Sequence, residues 1–142
     1  MSSIAEQILT AAVAALTIRT PASDRVYRSR SLALARDEAP AIVVRPANED
    51  SNVFSAGVDD NVLTMLVEVY VRGDPFDQVA DPIVTSAHAV LLRDPGLRSL
   101  VTQIRKKEKT WDGQEADDTA GFVSTKYELR YLSAANDLTV AV

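Results

Sequence analysis

Hydrophobic and polar positions recur along the chain with two different periods, and these periods predict both helices and strands. An apolar stripe at helical spacing runs through residues 3–18, where Ser3 and Glu6 have the spacing of a capping box. A second, broader stripe runs from Phe76 to Arg93. We therefore expect two amphipathic helices, each packing its apolar side against a sheet.

Alternation with a period of two predicts the strands of that sheet. The clearest strand runs from Val62 to Arg72; both of its faces are partly apolar, so we expect it at the centre of the sheet. The segment from Phe122 to Leu132 alternates apolar with charged residues, which is typical of a half-buried strand. Weaker patterns predict strands at Asp24–Ser31 and Ala41–Arg45, and prolines on both sides of the latter suit an edge or terminal strand.

The remaining segments are more polar. Residues 47–60 are predicted to form a loop, in which the apolar Val53 and Phe54 are candidates for docking onto another surface. The chain from Ser133 onward is predicted to be irregular. Two extended segments flank an acidic turn near Gly113 and predict an extended β-hairpin. The pattern thus indicates an α+β fold: one domain, residues 1–142, with a mixed, mostly antiparallel sheet of about five strands packed against two α-helices.

Composition places the chain among ordinary globular domains. Its 142 residues are 46% hydrophobic and 25% charged, a balance that argues against disorder of the whole chain. The start lacks the basic and apolar segments of a secretory signal, and no apolar run is long enough for a membrane span, so we expect a soluble cytosolic protein. The net charge of −5 argues against diffuse affinity for nucleic acid or anionic lipid.

Candidate catalytic chemistry is sparse in the sequence. There is one histidine and no cysteine, and the five glycines are scattered, so neither a nucleophilic triad nor a phosphate-binding loop is indicated. The densest group of oxygen ligands, Asp112, Glu115, Asp117 and Asp118, lacks the spacing of a calcium-binding EF-hand loop and is better explained as a solvated turn. We predict no catalytic residue, no metal site and no cofactor, and therefore a protein that is not an enzyme.

Two groups of residues are candidates for an interface with another protein. The first is a basic segment with a neighbouring tryptophan: Arg105, Lys106, Lys107, Lys109 and Trp111. It is interpreted either as a ribbon that engages an acidic partner or the DNA backbone, with DNA the less favoured, or as an exposed strand edge that lysines keep from aggregating. The second is a ridge on the second helix: Asp81, Thr85, His88 and Leu92. It is either solvated surface or a contact with a neighbouring subunit.

Several segments together resemble the tail terminator proteins of long-tailed bacteriophages, the family of the lambda tail terminator. The order of elements is similar, and so are short runs spread over most of the chain. These runs are Val26–Arg30, Ala39–Ala41, Val67–Asp74, Asp77–Pro82, Ala87–Ala89, Trp111–Asp112 and Asp118–Phe122, the last leading to Tyr127 and Tyr131.

The resemblance implies a structural role in the virion of a siphophage. Such a protein forms a homo-oligomeric, typically hexameric, ring on the head-proximal end of the tail tube, stops tube growth and provides the surface for head–tail joining. Its partners would be further copies of itself, the tail tube protein and the head–tail connector, and DNA would pass through the ring without specific binding. Assembly would take place in the host cytoplasm. Alternatives are a neck or head-completion protein that binds the connector, a tail tube-related protein, or, more distantly, a small host enzyme or ligand-binding domain.

Overall fold

A computed structural model describes residues 1–30, 36–113 and 120–142. Within these residues, three α-helices pack on one face of a six-stranded sheet. The elements follow one another as α1 (Ile4–Leu16), β1 (Val26–Arg28), a short 3₁₀ turn (Arg36–Glu38), β2 (Ala41–Ser55), β3 (Val58–Arg72), α2 (Phe76–Arg93), α3 (Pro95–Arg98), β4 (Gln103–Gly113), β5 (Ala120–Ala134) and β6 (Asp137–Ala141).

The sheet is mixed but mostly antiparallel. Its strands lie in the order β1-β2-β3-β5-β4, and β6 pairs with the end of β5. Only the β1–β2 pair is parallel among the described strands. The prediction of a single α+β domain with helices on a mostly antiparallel sheet is confirmed. β3 lies at the centre, as its two-sided apolar pattern predicted.

The core lies between the helices and one face of β2, β3 and β5. The two helices contribute one buried stripe each: Ile4, Ile8, Leu9, Ala12, Ala15 and Leu16 from α1, and Ala80, Ile83, Val84, Ala87 and Leu91 from α2. The Ser3 hydroxyl accepts a hydrogen bond from the Glu6 N–H (3.1 Å), as the capping-box spacing predicted. Apolar burial on this single face gives the domain its main stabilisation.

Three predictions about the strands are wrong. Residues 47–60 are a β-hairpin and not a loop, because β2 continues to Ser55 and pairs with β3 throughout. The segment Ala41–Arg45 lies between β1 and β3 and not at an edge. The segment after Ser133 is not irregular, because β6 folds back on β5. In each case backbone pairing with a neighbouring strand supplies stability that the side-chain pattern does not signal.

The predicted first strand shortens to Val26–Arg28, and β3 and β5 begin earlier than their apolar alternation suggests. The second helix has the predicted bounds. The predicted hairpin around Gly113 is formed by β4 and β5, while its acidic turn lies outside the described residues.

Candidate interaction surface

β4 forms one open edge of the sheet. It pairs with β5 on one side, and none of the described strands pairs with its other side. Nine of its eleven residues are exposed, the exceptions being Ile104 and Lys109, which are half-buried. Such an edge offers unpaired backbone groups and exposed polar side chains to a partner.

The pairing register divides the basic segment between the two faces of the sheet. Lys106, Lys109 and Trp111 lie opposite Tyr127, Thr125 and Val123, on the face that carries the helices. Arg105 lies opposite Glu128, on the other face. Lys107 is the extra residue of a β-bulge between Lys106 and Glu108. The predicted single ribbon is therefore two distinct basic surfaces.

On the helix-bearing face, His88 packs against Tyr127. Its Nδ1 atom lies 2.9 Å from the Tyr127 hydroxyl, and the two rings are stacked with centroids 5.8 Å apart. Burial, followed by the charges of Lys106 and then Lys109, lowers the pKa of His88. Burial also raises the pKa of Tyr127, which therefore keeps its hydroxyl proton. His88 is a half-buried structural contact, and the prediction that it lies on a solvated ridge is wrong.

Trp111 is the large aromatic residue of this edge. Its side chain is 55% exposed, and the Lys109 ammonium lies 5.2 Å from its ring centroid. A cation over an aromatic face is attracted by the ring quadrupole, so the pair is partly organised before any partner arrives. Exposed tryptophans and their flanking cations are typical anchors of protein interfaces.

A groove with a mixed polar and apolar lining lies where the end of α2 approaches the start of β4. It has a volume of about 210 Å³ and is lined by Leu92, Arg98, Val101, Thr102, Gln103 and Ile104. The three apolar members of this lining also pack against the core, so for Leu92 the solvated-ridge interpretation is wrong. Asp81 and Thr85, earlier on the same helix, are exposed and lie outside the groove lining. We call the groove defined by Leu92, Val101 and Ile104 the edge groove.

The opposite face of the sheet carries ion pairs between neighbouring strands. They join Lys126 to Glu108 (3.6 Å), Lys107 to Glu128 (4.0 Å), Arg130 to Asp60 (3.0 Å) and Arg45 to Glu68 (2.8 Å). A shallow depression of about 240 Å³ spans this face from Asp50 on β2 to Arg105 on β4. Because the charges of both signs are interspersed and partly exposed, each pair adds little stability and the face has no basic stripe to follow a DNA backbone.

The second open edge is the outer half of β2, where residues 46–57 are all exposed. Segment 46–60 contains four acidic residues, Glu49, Asp50, Asp59 and Asp60, and no basic residue. Val53 is 83% exposed and Phe54 is 61% exposed at its end. We call the segment 46–60 the acidic hairpin.

Side-chain hydrogen bonds hold the acidic hairpin to the sheet. The Asn61 side chain accepts a hydrogen bond from Ser51 Oγ (2.6 Å) and donates one to Ser133 Oγ (2.8 Å), which links β2, β3 and β5. The Tyr131 hydroxyl donates to Glu49 (2.7 Å), and burial together with this carboxylate raises the pKa of Tyr131. The hairpin is thus a positioned element of the sheet, with only its edge and end left to contact a partner.

Sequence patterns missed the edge groove, whose residues come from a helix end, a turn and a strand. Val53 and Phe54, by contrast, were signalled by their apolar character within a polar segment. Of the four acidic residues near Gly113, Asp112 is exposed on β4 and the other three lie outside the described residues.

The described ranges contain no group of three His, Cys, Asp or Glu side chains arranged to hold a metal ion, and none of their helices could span a membrane. No protein-family model matches the sequence, and no curated protein matches it.

Proposed function

We propose that this protein is a ring-forming structural protein of a phage tail, resembling the tail terminators, which caps the tail tube and provides the surface for head–tail joining. The observation that carries the proposal is the open β4 edge. It combines a strand with one unpaired edge, four basic residues, an exposed tryptophan and a groove at the start of the strand.

The physical argument is that such an edge is costly to leave uncovered. Unpaired strand edges promote uncontrolled pairing with other chains, and an exposed tryptophan on the same strand favours burial. A neighbouring subunit in a closed assembly would cover both features, whereas lysines alone would only hinder pairing. The net charge of −5 per subunit would give the assembly an overall negative potential, through which DNA could pass without binding.

The proposal is tested with the phage genome that encodes this protein. The gene is deleted, and the particles produced in the host are examined by electron microscopy. Overlong tubes without heads are expected for a terminator. Tails of normal length that fail to join heads would instead indicate a neck or head-completion protein. Intact infectious particles would refute a role in virion assembly.

Complementation then tests the β4 edge itself. Simultaneous Arg105→Glu, Lys106→Glu and Lys107→Glu substitutions are expected to abolish rescue by a plasmid copy of the gene, because they reverse the charge of the exposed edge. These side chains are exposed, so circular dichroism and thermal unfolding should show that the variant remains folded. Full rescue by the folded triple variant would exclude the β4 edge from function.

A further inference from the structure

The two open edges of the sheet are different surfaces at opposite sides of one molecule. The acidic hairpin lies along β2 and the edge groove adjoins β4, and β3 and β5 separate these strands in the sheet. A molecule with two distinct contact surfaces associates head to tail, and such contacts close into a ring when the rotation between subunits allows it.

We propose that neighbouring subunits join through these two surfaces, with Phe54 of one subunit seated in the edge groove of the next. This inference rests on the proposed function only in that the protein self-associates. The occupant of the groove is thus a second copy of this chain.

Charge complementarity identifies the occupant. The acidic hairpin has no basic residue and four acidic ones, of which Asp60 is paired with Arg130 (3.0 Å), while Arg98 lines the edge groove and Arg105, Lys106 and Lys107 follow it on β4. The acidic residue nearest the groove in sequence, Asp94, is already engaged by Arg19 at 2.8 Å and accepts a hydrogen bond from the Leu97 N–H. Opposite charges on the two surfaces would steer subunits into this orientation and disfavour hairpin-to-hairpin contact.

The size of the groove fits one large side chain. Pockets for small-molecule ligands usually exceed about 300 Å³, whereas the edge groove has a volume of about 210 Å³. Phe54 is the extra residue of a β-bulge between Val53 and Ser55, and bulges redirect side chains out of the regular strand alternation. Phe54 is therefore presented outward at the end of the hairpin, as an anchor residue requires.

The β-bulges in β2 and β4 indicate that the contact is made by side chains and not by extension of the sheet. β2 is interrupted after Pro46 and after Val53, and β4 is interrupted at Lys107. Irregular edges of this kind cannot form a long continuous ladder with another strand. The backbone register would not fix the position of the neighbour, so the Phe54 anchor and the surrounding charges would do so.

Engineered cysteines test the contact directly, because the chain has no cysteine of its own. Ser55→Cys lies beside Phe54, and Gln103→Cys lies in the lining of the edge groove. Mixing the two purified variants at high concentration should give a cross-linked heterodimer with a short bis-maleimide. Pairing Ser55→Cys with Gln78→Cys, an exposed position at the other end of α2, should not. Adding Phe54→Asp to the Ser55→Cys variant should reduce the yield of cross-linked heterodimer about thirtyfold, as expected for loss of an aromatic anchor.

A mixing experiment distinguishes head-to-tail from symmetric association. Phe54→Asp leaves the groove intact, whereas Arg98→Glu with Arg105→Glu leaves the hairpin intact. Each variant alone should be monomeric by analytical ultracentrifugation, and their mixture should form a dimer and nothing larger, because only one working junction remains. A symmetric hairpin-to-hairpin or groove-to-groove contact would instead leave one of the two variants dimeric on its own.

The outcomes separate this inference from the proposed function. The proposed contact is wrong if Ser55→Cys and Gln103→Cys do not cross-link, or if Phe54→Asp leaves the yield of cross-linked dimer unchanged. Either result would count against the contact even if the gene deletion gives overlong tails. A Phe54-dependent cross-link together with normal particles after deletion would retain the contact and refute the tail-terminator function.

Discussion

Gly121 lies under the ring of Phe76, and this contact fixes the start of α2 on β5. A Cβ atom built on Gly121 would lie 2.5 Å from Phe76 Cδ2 and 2.6 Å from Cγ, whereas ordinary contact begins at 3.4 Å. The Phe76 ring would have to withdraw by about 0.9 Å to accommodate an alanine. Overpacking of this kind costs about 1–3 kcal/mol. We expect Gly121→Ala to lower the free energy of unfolding by about 2 kcal/mol, a shift in Tm of about 4–8 °C.

A double-mutant cycle isolates the cause. Removing the ring with Phe76→Ala removes the clash, so Gly121→Ala should then cost less than about 0.5 kcal/mol or even stabilise the strand, where alanine is preferred to glycine. The free energies of unfolding are measured by urea titration with circular dichroism. Gly57→Ala is the matched control, because no atom lies within 4 Å of its Cβ position. Because Gly57 has a positive φ of 78°, Gly57→Ala should lower the free energy of unfolding by about 1 kcal/mol whether or not Phe76 is present.

The reasoning is refuted if Gly121→Ala costs the same in both backgrounds. That result would mean that the glycine is required for the conformation of β5 and not for the approach of Phe76. A coupling free energy above about 1 kcal/mol would instead show that the two residues act through direct contact.

The remaining predictions concern three other positions. Ile18 is 74% exposed and has a φ of 69°, a left-handed conformation that is strained for a β-branched residue. Ile18→Gly should therefore raise the free energy of unfolding, measured by urea titration, by about 1 kcal/mol. A lower free energy of unfolding would contradict the inference that Ile18 is strained. The pKa of His88 is depressed below 6.5, so the unfolded chain binds the proton first and stability should fall as the pH drops through 6.5. Between about pH 7.5 and about pH 5.5, the Tm of His88→Gln should fall less than the Tm of the unmodified protein. An equal fall in Tm for both proteins would show that His88 does not cause the pH dependence. Asn61→Ala removes the hydrogen-bond partner of the buried Ser133 hydroxyl and of the exposed Ser51 hydroxyl, and should cost about 2 kcal/mol, whereas the exposed control Asn52→Ala should change stability by less than about 0.5 kcal/mol.

The core elements were predictable because apolar burial controls both their pattern and their structure. The helix from Phe76 to Arg93 has the predicted bounds, since its buried stripe repeats at helical period over five turns. The central position of β3 followed from its two apolar faces. The acidic hairpin escaped prediction because both its faces meet water, so no alternation of apolar and polar residues marks it.

The pattern of residues was enough to predict the α+β class, the two long helices, the central and last long strands, and a basic segment with Trp111. Only the tertiary structure decided which basic residues share a face, because one bulge at Lys107 shifts every later side chain of β4 relative to β5. It also decided that Leu92 and Ile104, twelve positions apart, line one groove. Local periodicity records which residues avoid water, whereas strand register and helix docking determine which of them meet.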